Sequence, residues 1–151
     1  MALPPRIDSK AVRERIGPYA DRAATIDERN AIYSELIGFV PPRIEARMAV
    51  TGALDPTLLD MQEKMREQAM YPKCFDVKTA QLMLFGMLLM DLSDAAHLHA
   101  IAARRAGASW EELQAVISLC FLVRGLPAAN RGAEILANLA KREADDAATK
   151  A

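Results

Sequence analysis

The chain has 151 residues, 52% of them hydrophobic, 26% charged and 5% aromatic, with a formal net charge of −1. That length fits one domain with its own core, and that balance excludes a disordered chain. The near-neutral charge, without any block of basic residues, argues against nucleic-acid binding. Plentiful Ala, Leu and Met beside few aromatics favour helix over strand.

Residues 1–25 are polar and carry Pro4, Pro5 and the Gly17-Pro18 pair, which reads as an arm with one short helix over Ser9 to Ile16. From Asp27 the apolar positions Ile32, Leu36 and Ile37 recur at helical spacing up to Gly38. Pro42 opens a helix that stops near Gly52, and Asp55-Pro56 caps and starts "DPTLLDMQEKMREQAM". After the loop "YPKCF", Asp76 caps "VKTAQLMLFGMLLMDL". Its apolar run, Leu82 to Met90, is far shorter than the roughly 20 residues that span a bilayer, so it reads as a buried helix. Gly86 inside that run predicts a close helix crossing. The next helix runs from Ser93 or Asp94 to Ala106 and ends at Gly107. Ser109 and Glu112 form a capping box that opens a helix reaching Arg124, Gly125 breaks it, and Pro127 begins the last helix.

No strand pattern appears. The expectation is an all-α protein of about six or seven helices, with an arm over 1–25, one domain over 26–143 and a frayed tail over 144–151. The N-terminus has no basic-then-apolar signal pattern, and Cys74 and Cys120 lie far apart, which fits a reducing cytoplasm.

His97 and His99 are the two histidines of the chain. Two positions along a helix rotate a side chain by about 200°, so the rings point to roughly opposite faces and a shared metal is not expected. Asp94, three residues before His97, predicts a local ion pair or a tautomer-fixing contact there. His99 instead has Ala95, Ala102 and Ala103 on its own face. Small residues let another helix approach, leaving the imidazole as the one polar group on an apolar face. Two readings fit: a buried structural histidine, or a general acid/base tuned by burial.

From His99 onward, the stretch "HAIAARRAGASWEELQAVISLCFLVRGLPAANRGAEIL" resembles the carboxymuconolactone decarboxylase family, within the alkylhydroperoxidase-like superfamily. The matching elements are His99, Gly107, Ser109 with Glu112, and the turn Gly125-Leu126-Pro127-Ala128-Ala129-Asn130. Upstream, "FDVKTAQLMLFGML" resembles the family's "D-x-K-T-R-E-L" start of its first core helix, so the likeness covers about residues 75–140.

The resemblance implies an all-helical, alkylhydroperoxidase-like fold, a homotrimer or homohexamer, and an active site near a subunit interface. It implies a histidine and a glutamate acting on a carboxylated lactone from aromatic-acid breakdown. The peroxidase branch places a C-x-x-C pair before the histidine; here Leu92 and Ala95 stand there, which excludes thiol peroxidase chemistry. The family's glutamate falls on Gln81, allowing a one-residue shortening, or on Ala80 without one, and its tyrosine falls on Val123.

The expectation is therefore a decarboxylase-like or isomerase-like enzyme for a small carboxylated lactone or enol-type acid. His99 is its catalytic acid/base, with no metal and no organic cofactor. Gln81, Arg124 and Asn130 are the candidate substrate-binding residues, Arg124 as a fork for a carboxylate and Asn130 through its place in the turn motif. Asp76 and Glu134 are the candidate replacements for the missing glutamate. The competing expectation is a non-catalytic oligomeric helical protein that has lost the acid partner.

Overall fold

In this computed structural model, which describes residues 5–150, eight helices follow one another without a strand among the described residues. That is one or two more than expected. The chain divides into two compact units, residues 1–70 and 71–151, and the division falls inside the span expected to be one domain.

The first unit holds α1 (Ser9–Arg15), α2 (Ile26–Ile37), α3 (Pro42–Leu54) and α4 (Pro56–Met70). α2 starts at a capping box: Thr25 accepts from the Glu28 backbone while Glu28 reaches back to the Thr25 N–H. α1 and α2 both pack on α3, and α3 packs on α4, around Tyr33, Ile37, Met48 and Leu59. The arm is thus folded onto its own unit.

Beneath these helices lies a charged network. Glu63 of α4 is 3% exposed and accepts from Tyr33 Oη at 3.0 Å, from Arg47 and from Arg66 Nε at 3.2 Å. The Arg66 guanidinium also stacks on the Tyr33 ring, 4.6 Å from its centre. Arg29 similarly gathers Asp21, Asp60 and the Tyr19 hydroxyl. A buried carboxylate is tolerable only when so surrounded, and the arginines hold Glu63 below its usual pKa despite burial.

The second unit holds α5 (Val77–Met90), α6 (Ala96–Arg105), α7 (Trp110–Arg124) and α8 (Leu126–Lys150). α5 lies at its centre and packs on α6, α7 and α8, burying Ala80, Gln81, Phe85 and Leu89. Its N-cap is Asp76, which accepts from Thr79 N at 2.7 Å. The far end of α5 closes as a Schellman turn, with Leu92 N–H on Leu89 O and Ser93 N–H on Leu88 O. The left-handed position of that turn is Leu92, at φ 52°, a conformation glycine adopts more cheaply. This turn consumes residues 91–95, so α6 starts at Ala96 rather than at Ser93 or Asp94.

The alanines of α6 serve the expected close approach: Ala96, Ala100, Ala102 and Ala103 are essentially inaccessible where α6 meets α5 and α8. Gly107, at φ 93°, ends the helix, and Ser109 with Glu112 opens α7 as expected. Arg104 does more than complement the helix end. It pairs with Glu143 of α8 at 2.9 Å and stacks 4.2 Å above the Trp110 ring.

Gly125 alone separates α7 from α8, with φ 75°. The two helices meet where a Cβ on Gly132 would stand 2.6 Å from Ile117 Cγ1. At Gly86 a Cβ would stand 3.0 Å from Val116 Cγ1, so the close crossing expected at this glycine is made with α7. α8 continues through the tail expected to fray from residue 144 and reaches Lys150. The pairs Lys141–Asp145 and Arg142–Asp146 support that extension at helical spacing.

Candidate functional site

The small-residue face of α6 brings His99 against α5. There His99 Nδ1 lies 2.7 Å from Oε1 of Gln81, eighteen positions earlier in the chain. Gln81 is 0% exposed, and its Nε2 has no hydrogen-bond partner among the described residues. His99 is largely buried, and this burial alone pushes its pKa down to about 4. An imidazole in that state is neutral at physiological pH and carries one proton on one of its two nitrogens.

The geometry joins two of the four expected site residues and leaves two apart. His99 and Gln81 form a direct pair. Arg124 lies exposed in the last turn of α7, and Asn130 lies exposed near the start of α8. Neither makes a hydrogen bond to the pair. The candidate carboxylates are engaged elsewhere: Asp76 caps α5, and Glu134 pairs with Arg131 at 2.8 Å. Among the described residues no charged group shifts His99. Asp94, expected to serve His97, receives Arg131 at 2.7 Å. His97 is held below its ordinary pKa by burial first and then by Arg142.

A second feature of the same unit was not foreseen. An open groove of about 550 Å³ runs between α5 and α7, lined by Leu82, Met83, Gly86, Val116, Leu119 and Val123. One end carries Asp76, Lys78 and Glu112, with Lys78 paired to Glu112 at 2.7 Å. His99 and Gln81 are not part of its lining, so the groove lies on another side of α5. At its rim and along the end of α7 into α8, Leu122 and Val123 are each 77% exposed and Leu119 and Leu126 each 65%. Met61, Met65, Met83 and Met87 are also exposed, and Met90 is half-buried.

Cys74 is exposed and Cys120 buried, neither in a disulfide; the Cys120 thiol donates to Gly86 O at 3.5 Å, and burial raises its pKa. That is a packed thiol rather than an activated one. Among the described residues no three His, Cys, Asp or Glu side chains gather as a metal site. No helix among them is long and apolar enough to cross a membrane.

The chain is all-helical among the described residues, and its second unit packs a central apolar helix against the alanine face of a histidine-bearing helix, in keeping with the helical bundle expected. The sequence profile of the carboxymuconolactone decarboxylase family matches residues 56–138, more than half of the chain, and the chain belongs to that family. The match starts at residue 56 rather than near 75, so it takes in α4. No curated protein and no solved structure matches the chain.

Proposed function

We propose that this chain is a proton-transfer enzyme of the decarboxylase or isomerase type, and not a thiol peroxidase. Its substrate is a small carboxylated lactone or enol-type acid of the kind formed in aromatic-compound breakdown. Family membership supports the reaction class at a coarse level. The observation that carries the assignment to His99 is its largely buried, neutral imidazole held at 2.7 Å by the side-chain amide of Gln81. A histidine kept only for packing satisfies itself equally well on a backbone carbonyl; this one is oriented by a side chain from another helix.

With a pKa of about 4, roughly one imidazole in a thousand is protonated at pH 7. The free enzyme therefore offers a base. In an isomerisation, the substrate's C–H bond breaks, its proton passes to the imidazole, and the electron pair moves onto the conjugated carbonyl oxygen as an enolate. The imidazolium then returns that proton to a different carbon, so the proton count closes within one turnover. In a decarboxylation the carbon–carboxylate bond supplies the electron pair and the enolate needs a proton at carbon. A bound substrate carboxylate favours the imidazolium and makes His99 a donor for that step. Arg124 and Asn130, exposed and outside the His99–Gln81 pair, are proposed as contacts for the substrate's carboxylate and carbonyl.

The assembly proposed is a homotrimer or homohexamer, in the cytoplasm. The exposed Leu119, Leu122, Val123 and Leu126 support the assembly, because water-facing apolar side chains in such density mark an association surface. A second reading, a non-catalytic oligomer, draws on the absence of a carboxylate acting on His99. A spectrophotometric assay with carboxylated muconolactones and related β-keto acids separates the two. The enzyme reading expects turnover that falls about 10²- to 10⁴-fold in His99→Gln. Turnover unchanged in a folded His99→Gln removes His99 from the mechanism, and no turnover on any member supports the second reading.

A further inference from the structure

We infer that Gln81 is a positioning residue that holds the proton of His99 on Nδ1, so that Nε2 is the basic nitrogen and the site takes acids that bring their own labile C–H. This rests on His99 being the acid/base proposed above, and it adds which nitrogen reacts and which class of substrate that nitrogen serves.

An amide oxygen only accepts, so with Oε1 of Gln81 turned to the ring at 2.7 Å the proton of the neutral imidazole sits on Nδ1. The lone pair is then on Nε2. Gln81 is fully buried and its Nε2 has no hydrogen-bond partner among the described residues, so the contact with His99 is the one hydrogen bond its side chain makes there. A carboxylate at position 81 would also accept from Nδ1, but its charge would stabilise the imidazolium and turn the same ring into a proton donor. Glutamine keeps the orientation without the charge.

The charged groups on neighbouring elements do not supply what the amide withholds. On α5, Lys78 pairs with Glu112 of α7. On α6, Arg104 pairs with Glu143 of α8. On α8, Arg131 takes Asp94 and Glu134, and Arg142 lies 4.0 Å from Asp146. None of these acts on His99, whose shift has burial as its only cause. A neutral base with no stored proton suits a substrate whose acidity lies at an activated C–H beside a carbonyl. It is ill-suited to protonating a carbanion unless the substrate first brings charge or a proton to the ring.

Long-range ¹H–¹⁵N correlation of the imidazole nitrogens in the full chain at pH 7 tests this directly. The wild type should show the protonated, pyrrole-type nitrogen at Nδ1 and the pyridine-type nitrogen at Nε2. Gln81→Met, which keeps the bulk and removes the amide, should lose that fixed tautomer and lower kcat about 10-fold or more with little change in KM. Gln81→Glu should raise the His99 titration midpoint by at least one pH unit. A proton found on Nε2 in the wild type overturns the inference, and so does an unmoved midpoint in a folded Gln81→Glu. The wild-type spectrum decides even where that variant fails to fold. Activity retained in His99→Gln would sink the catalytic proposal while leaving the tautomer result standing; a wrong tautomer with activity lost in His99→Gln would sink this inference alone.

Discussion

Acidification from pH 7 to pH 4 should strip stability from the fold through His99, by an amount set by its surroundings. In the folded chain the imidazole has a pKa of about 4, against 6.5 for the ordinary side chain, and burial is the cause. Between those two values the unfolded chain takes up a proton at this position and the folded chain does not, which favours unfolding. The contribution of His99 is therefore complete above pH 6.5, declines as the pH falls, and is lost near pH 4. At about 1.4 kcal/mol per pH unit the ceiling is about 3 kcal/mol, reduced where solvent reaches the ring. Urea unfolding of the wild type and His99→Gln at pH 7, 6, 5, 4 and 3 isolates this. Carboxylates with lowered pKa, Asp21 and Glu63 among them, lose stability on protonation in both chains, as does His97 on charging. The wild type should lose more stability than the variant from pH 6.5 to 4, and the two curves should run parallel below. Parallel curves throughout that window would refute a buried neutral imidazole at position 99.

Gly132→Ala gains about 1 kcal/mol of helix propensity, but its Cβ would stand 2.6, 2.8 and 2.9 Å from three carbons of the buried Ile117. Overpacking of about 1–3 kcal/mol should outweigh the gain, lowering Tm, and Ile117→Val in the same chain should restore part of it. Gly107→Ala meets no crowding, yet its φ of 93° should make it destabilising by about 1 kcal/mol, read from the same melting curves. Glu63→Ala strands Arg47, Arg66 and the Tyr33 hydroxyl around an empty centre and should cost about 3 kcal/mol in urea unfolding. Leu122→Asp, at a side chain 77% exposed, should leave helicity intact by circular dichroism and shift the light-scattering mass towards the 16.6 kDa monomer.

The elements most legible in the sequence were those with local chemistry at their ends. Asp76, Ser109 with Glu112, Gly107 and Gly125 each announce a helix boundary through hydrogen bonding or backbone freedom that needs no distant partner. The Thr25–Glu28 box carries the same signal and places the start of α2 at Ile26. The start of α6 was misplaced because the turn before it uses Leu92 in the left-handed conformation, where the sequence offers no glycine to mark it. The tail was expected to fray on composition, and α8 runs through it with i,i+4 pairs of opposite charge along its surface.

The site was legible in part for the same reason. His99 stood out because alanines surround it, and Gln81 because of the family resemblance, but their contact spans eighteen positions and depends on how α5 meets α6. The Glu63 network is longer in range still, joining α2, α3 and α4, and no spacing rule reaches it. The exposed apolar strip was hidden for a different reason: Leu119, Leu122 and Val123 lie in a helix apolar along much of its length, and only the packing shows which of its faces is covered.

The central claim is that His99 removes a proton from carbon, and exchange with solvent reports that step without requiring complete turnover. A panel of carboxylated lactones and β-keto acids would be incubated with the protein in D₂O and followed by ¹H NMR. Loss of the signal of the activated C–H in the presence of the wild type, and its persistence with a folded His99→Gln, is the result predicted. Exchange that proceeds equally with both proteins, or that no panel member undergoes beyond its rate in buffer, would contradict the assignment of His99 as the base.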